Sequence, residues 1–341
     1  MEVLALLLFA AGAAAAPAPA VSTSAAAAPE TTVTLSAVGD IRLSGPIEEI
    51  AKKDSAAPSR AVKDLLAADI VMGNLETPLT KRGTKLAKTW NYRSDPRLLM
   101  IPKAAGFTLL NIANNHVWDY GQQGFLDTIK TLETEGWDYI GGGRDRASAE
   151  KVKLVEFDGL TVGFLGMTST HPEQGWAKTA KPGVFYSDFG RLNEIVKRAK
   201  QKCHVLVVSF HGGTELADDP NDIQKAVAHA VIDAGADLFL GHHPHVIQGV
   251  ELYKDKPIFY SLGNFLFVSP TPTTRPSVIV RATLAKGGVR RLDLIPIDTN
   301  WGRPKPASAE VAAVIREAIN RMGALEARPD LLFFRTQAPP P

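Results

Sequence analysis

Five times along this chain an apolar run of strand length stops at a small polar cluster, and that repetition restricts the fold more than any other feature. Residues 32–38 end at Gly39-Asp40, and Ile70, Val71 and Met72 lead to Asn74-Leu75-Glu76. Residues 107–112 lead to Asn114-Asn115-His116, residues 205–210 to His211-Gly212-Gly213, and residues 236–240 to Gly241-His242-His243-Pro244-His245. One polar residue after a strand is ordinarily a turn or a cap. Five such ends are what an open α/β sheet produces when its ligands gather beyond the carboxyl ends of its strands.

The last cluster carries the sharpest chemistry. Three imidazoles within four positions, directly after a buried run, read as half of a metal site, because histidine is the commonest metal ligand. If the strand continues, His243 and His245 share one face; a turn at Pro244 pairs His242 with His245 instead. The sequence leaves both pairings open. Cys203 is the single cysteine, so no intramolecular disulfide forms, and its place before residues 205–208 predicts a buried strand position. Its neighbour His204 then points to the opposite face, so a catalytic thiol is not expected.

Apolar runs alternate with helical patterns, which argues for a layered α/β domain. Helices are expected at residues 59–68, 96–105, 122–135, 190–201, 222–234 and 307–322. In the fifth, Ile223, Ala226, Val227, Ala230 and Val231 form an apolar stripe, and His229 at its edge is expected to pack or face solvent rather than bind metal. Residues 152–157 and 160–167 read as a hairpin closed by Asp158-Gly159. Later runs at 246–253, 257–262, 278–284 and 289–297 are expected to build a second sheet. The Pro- and Gly-broken segment 171–188 is a candidate rim or lid, where His171 is expected at the surface.

At 341 residues the chain can bury a sizeable core, and 45% hydrophobic with 22% charged residues places it among soluble globular proteins. A net charge of +2 gives no bulk electrostatic case for nucleic acid. The apolar start, with Leu4, Phe9 and the alanines up to Ala16, followed by Ala18-Pro19-Ala20, has the pattern of an export signal, although it lacks a positive n-region. Residues 1–30 are thus expected to be signal and linker, 31–300 a single domain, and 301–341 a helix and tail on or beside it. An exported, periplasmic or cell-envelope location follows as the expectation.

With these residues in view, the chain resembles the CapA family of poly-gamma-glutamate capsule biosynthesis proteins, whose domain is similar to calcineurin-like metallophosphatases. The matching stretches are Val38-Gly39-Asp40, Gly73-Asn74-Leu75-Glu76-Thr77-Pro78-Leu79, Asn114-Asn115-His116-Val117-Trp118-Asp119-Tyr120-Gly121, residues 241–245 and Tyr260-Ser261-Leu262-Gly263-Asn264-Phe265. They span roughly residues 32–268, and their joint order is specific where each alone is weak.

The resemblance implies a four-layer αββα sandwich. Asp40, Glu76, Asn115, His211 and two of His242, His243 and His245 exceed the ligands of one closed site. This set implies two divalent ions, of Mn, Fe or Zn character rather than Ca, with Glu76 bridging. By the same resemblance His116 assists the leaving group. Asp119 either orients it or caps the helix that follows, and the sequence weighs these equally. Asn264 and Arg42 are candidate substrate contacts. Arg42 also stands where metallophosphatase ancestry has the histidine of Asp-x-His, which bears on one of the two ions. The implied partners are an anionic polymer or a phosphorylated precursor, with membrane synthase or export subunits.

Overall fold

Strand β1 (Thr32–Ile41) is buried along nearly its whole length, which a strand tolerates only when both faces of its sheet are covered. The computed structural model describes Met1 and residues 30–335 and shows what covers it. On one side β1 runs parallel to β2 (Ile70–Leu75), which leads to β3 (Leu109–Asn111) and β4 (Asp138–Ile140). On the other it pairs antiparallel with β13 (Pro276–Ala285), followed by β14 (Gly288–Asp298) and the short β15 (Lys305–Pro306), while β16 (Leu332–Phe334) adds to β14.

A second sheet has the order β11-β12-β10-β9-β7-β6, made of β11 (Val250–Tyr253), β12 (Lys256–Phe259), β10 (Leu238–His242), β9 (Val205–His211), β7 (Leu160–Thr168) and β6 (Lys153–Phe157). A two-residue pair, β5 (Gly142–Gly143) with β8 (Gly183–Val184), stands apart.

Three hydrophobic cores set the layers. The middle one joins Val33 and Leu35 of β1 to Val162, Phe164 and Val207 of the second sheet, and its edge is filled by α8 (Ala309–Asn320) and α9 (Ala324–Ala327). Alternate residues on the same strands serve the outer cores, as the two-residue period of a strand requires. One outer core packs α1 (Pro46–Ala51), α2 (Lys63–Leu66), α3 (Met100–Ala105) and α4 (Gly121–Thr134) on the first sheet. The other packs α5 (Arg146–Ala149), α6 (Phe189–Lys200) and α7 (Asp222–Asp233) on the second. The result is the expected αββα sandwich.

The expected hairpin is present, with Asp158 at φ 42° and Gly159 at φ 79°. The grouping of the later strands is different from expectation. Residues 250–253 and 256–259 join the hairpin in the second sheet, whereas β13 and β14 return to the first sheet beside β1. The apolar runs looked alike, and only pairing decides which sheet a strand enters. Residues 246–249 and 260–262 turn out to be irregular, because they carry the chain around the site. Cys203 is half-buried and lies ahead of β9, not within it; its thiol sits over Gly163, and burial pushes it up. His204 accepts the Thr161 amide through Nδ1 at 2.9 Å. The signal and linker reading falls on residues outside the described ones. Among the described residues no helix is long and apolar enough to cross a membrane.

Two irregularities position the centre. The β1–β2 register slips between Ala37 and Asp40, a bulge that re-aims the strand end. Beyond it the Asp40 amide donates to Gly263 O at 3.1 Å, and the Phe265 amide donates to Asp40 O at 2.9 Å. This approach requires glycine at position 39, since a Cβ there would lie 1.8 Å from Gly263 O. Gly39→Ala is therefore expected to cost on the order of 3 kcal/mol by overpacking, read as a lower urea midpoint. An unchanged midpoint would show that the two segments are not so close.

Candidate metal centre

The carboxyl ends of β1, β2, β9 and β10, together with the loop after β3, deliver the five polar clusters to one buried place. Asp40, Glu76, His211, His243 and His245 are all buried there. Two sets of ligand atoms each lie within 4.8 Å of one another: Glu76 with His211 and His243, and Asp40 with Glu76 and His245. Glu76 belongs to both. Neither of its carboxylate oxygens has a hydrogen-bond partner, and Nδ1 of His243 has none either. A buried carboxylate without a hydrogen-bond partner is costly, so the donor set fits metal binding.

The histidine turn resolves the open pairing in an unforeseen way. β10 ends at His242, and His243 and His245 then take left-handed backbone angles of φ 100° and 60°, so a turn brings together the pair that a continued strand would have presented. His242, counted with the ligands on sequence, is in neither set. Its Nε2 lies 3.0 Å from Ser209 Oγ inside the second sheet, and its Nδ1 comes only within 3.8 Å of Asp40 Oδ1. Asn115 Oδ1 lies 2.9 Å from His211 Nε2, which is 3.5 Å from Glu76 Oε1, so the amide adjoins the Glu76–His211 side.

Electrostatics follow from burial and neighbours. Burial pushes His211 well below the usual imidazole range, with repulsion from His243 and His242 adding to it. Burial also lowers His243 to about 3 and His242 to about 4. Neutral imidazoles are the form that binds metal. His245 is opposite: burial works against its charge, but Glu76 and Asp40 outweigh it and raise the ring to about 9. Burial would raise Asp40 too, yet the hydrogen bond and charge of His245 hold it low. Glu76 rises, through burial first and then repulsion from Asp40.

A layer of amides holds the ligands. Asn74 Nδ2 lies 2.7 Å from Asp40 Oδ1 and 3.0 Å from His211 Nδ1, while its Oδ1 accepts from Asn111 and Asn114 at 3.2 and 3.1 Å. Asn264, expected to face substrate, is turned to His245, whose Nδ1 lies 2.9 Å from its Oδ1. That contact leaves His245 Nε2 toward Glu76. Asn74→Ala is expected to weaken metal affinity by about 10- to 100-fold with the ligands intact, as measured by competition with a chelating dye.

His116 stands at the rim of the centre. Its Nδ1 lies 2.7 Å from Asp119 Oδ2, and helix α4 begins after Tyr120 with no side-chain cap, so Asp119 serves the histidine and not the helix. Sequence reasoning missed two residues here, both in the loop after β2. Lys88 Nζ pairs with Asp119 Oδ1 at 2.5 Å and donates to Asn115 O at 2.8 Å, and Tyr92 stacks on the His116 ring at 3.9 Å. That loop has no periodicity to mark it. Arg42 is held beside them: its guanidinium lies between Tyr92 and Phe267, 4.6 and 4.4 Å from the ring centres, and Nη2 donates to Val268 O at 2.6 Å. His171 is exposed on the 171–188 segment, and His229 is bound to Glu251 at 3.0 Å and stacked on Tyr253, away from the centre.

Helices outside two stacked sheets, with carboxylates and imidazoles converging at strand ends from both, define a four-layer sandwich with a candidate metal centre at its strand ends. The chain belongs to the bacterial capsule synthesis protein PGA_cap family, whose model matches residues 34–269. It is 35% identical over 296 residues to the PGA biosynthesis protein CapA of Bacillus subtilis (strain 168), covering 84% of this chain and 78% of that one. It is 34% identical over 287 residues to the capsule biosynthesis protein CapA of Bacillus anthracis, covering 81% and 70%. Among solved structures, a hypothetical protein from Thermus thermophilus aligns with a TM-score of 0.49 at 16% identity, over 78% of this chain and 99% of that chain. A 5'-nucleotidase precursor from the same organism aligns with a TM-score of 0.49 at 14% identity, over 84% of this chain and 57% of its own length.

Proposed function

We propose that this protein acts in poly-gamma-glutamate capsule synthesis or export as a metal-dependent hydrolase, outside the cytoplasmic membrane, on the polymer or a phosphorylated precursor. The family and the names of its Bacillus relatives support the pathway. The observation that carries the chemistry is the buried Glu76 carboxylate, shared by two donor sets and otherwise unpartnered. Two ions held by Asp40, Glu76, His211, His243 and His245, with Asn115 alongside, would supply Lewis acidity and an activated water at neutral pH. The residues supply the rest. Asp119 holds His116 at Nδ1, leaving Nε2 to give a proton to a departing oxygen, and Lys88 fixes Asp119 in turn.

Metal analysis of the purified protein, beside a panel of phosphate esters and gamma-glutamyl chains, tests this reading. About two ions per chain and metal-dependent turnover are expected, with His211→Ala losing metal. A protein that binds polymer equally well with and without His116 and turns over nothing would instead be a binding or export subunit.

A further inference from the structure

A groove with a volume of about 620 Å³ lies away from the metal centre, between α6 and the segment around α5. Its charge is lopsided. Arg191 is occupied by Glu150 through contacts of 2.5 and 2.9 Å, and Arg198 meets Glu194 only in an exposed pair at 3.0 Å. Arg146, Lys151 and Lys202 line the groove and have no acidic partner among the described residues. The chain as a whole carries only +2, so this is a local concentration of positive charge.

The cations are strung out rather than gathered. Arg191 and Arg198 occupy one face of α6, about 10 Å apart along its axis, and Lys202 extends the row. A single phosphate needs converging donors, commonly a free helix N-terminus. Here both nearby N-termini are closed by their own side chains, since Asp145 accepts from the Ser148 amide at 2.7 Å and Asp188 from the Gly190 amide at 3.0 Å. Between the cations the floor is aliphatic, made of Val152, Ile195 and Ala199, with no aromatic ring on which a base could stack. At one end the groove continues into a smaller hollow, sharing Arg146, Glu150 and Arg191 and bounded by the stacked Trp176 and Tyr186. The adjoining Gly175 packs against Trp118, which follows His116 by two residues.

We infer that this groove is a track for an extended aliphatic polycarboxylate, whose carboxylates meet the spaced cations while its methylenes lie on the Val152–Ile195–Ala199 floor. The surface is separate from the ligand set, so the inference stands whether or not the centre is catalytic.

The test uses the full chain and a linear poly-L-glutamate of about twenty residues, with polyphosphate of equal charge and free glutamate as comparators. The triple variant Arg146→Gln, Arg198→Gln, Lys202→Gln is expected to bind polyglutamate about tenfold more weakly, with unchanged metal content and melting temperature. Free glutamate is expected not to bind measurably. Equal affinity of variant and parent overturns the inference, as does polyphosphate binding as tightly as polyglutamate or an absence of polyglutamate binding by the parent. Loss of turnover in His116→Ala with polymer affinity retained separates failure of the centre from failure of the track.

Discussion

Exchange of His116 for alanine is expected to lower metal-dependent turnover by a factor on the order of 10² to 10⁴ while the metal content stays as it was. The two readouts separate because His116 belongs to neither set of metal-capable ligands. Its ring is held by Asp119 at 2.7 Å and by Tyr92 stacked on its face, and its backbone amide donates to Asn114 Oδ1 at 3.1 Å. Such restraint is what a proton donor needs, since misplacement of a reacting group is expensive. Burial lowers the His116 ring, and the Asp119 hydrogen bond opposes that shift, so the pair is arranged to keep a donor from becoming too acidic. Turnover within a few-fold of the parent's would remove His116 from the chemistry.

Glu76→Gln carries the second large expectation. The amide keeps the volume and removes the one group common to both ligand sets, so metal content should fall from about two ions per chain to less than one. Meanwhile the metal-free variant should melt at or above the temperature of the metal-free parent, because a buried, unpartnered carboxylate is replaced by a neutral group. Added Mn at 100 times its dissociation constant stabilises a single-site protein by about 2.7 kcal/mol, and that increment should vanish in the variant. A variant that retains both ions would falsify the shared role of Glu76.

Much of the architecture was legible because strand ends advertise themselves. Asp40, Glu76, Asn115, His211 and the histidine turn all follow apolar runs, and the structure does bring these places together. The assignment of strands to sheets was not legible, since β12 and β13 have similar apolar character and only long-range pairing sends one to each sheet. His242 matches its neighbours in type, and it is its register opposite His211 in the second sheet that sets its Nε2 3.0 Å from Ser209 Oγ, which no local pattern reveals. Lys88 and Tyr92 were hidden for a different reason. They come from an aperiodic loop, where a residue's neighbours in space leave no trace in the local pattern. The amide layer of Asn74, Asn111 and Asn114 is likewise invisible to spacing, because each amide looks like an ordinary turn former until the network is assembled.

The cradle of Asp40 is made by residues that come very late in the chain. Its backbone is clasped by Gly263 and Phe265, and β1 itself finds its antiparallel neighbour only in residues 276–285. A nascent polypeptide that has emerged only as far as the histidine turn therefore lacks the clamp for its first acidic ligand, although it already contains every side chain of both donor sets. The clamp forms only once residues 263–285 are made, so a product terminated before them is expected not to hold Asp40 in place.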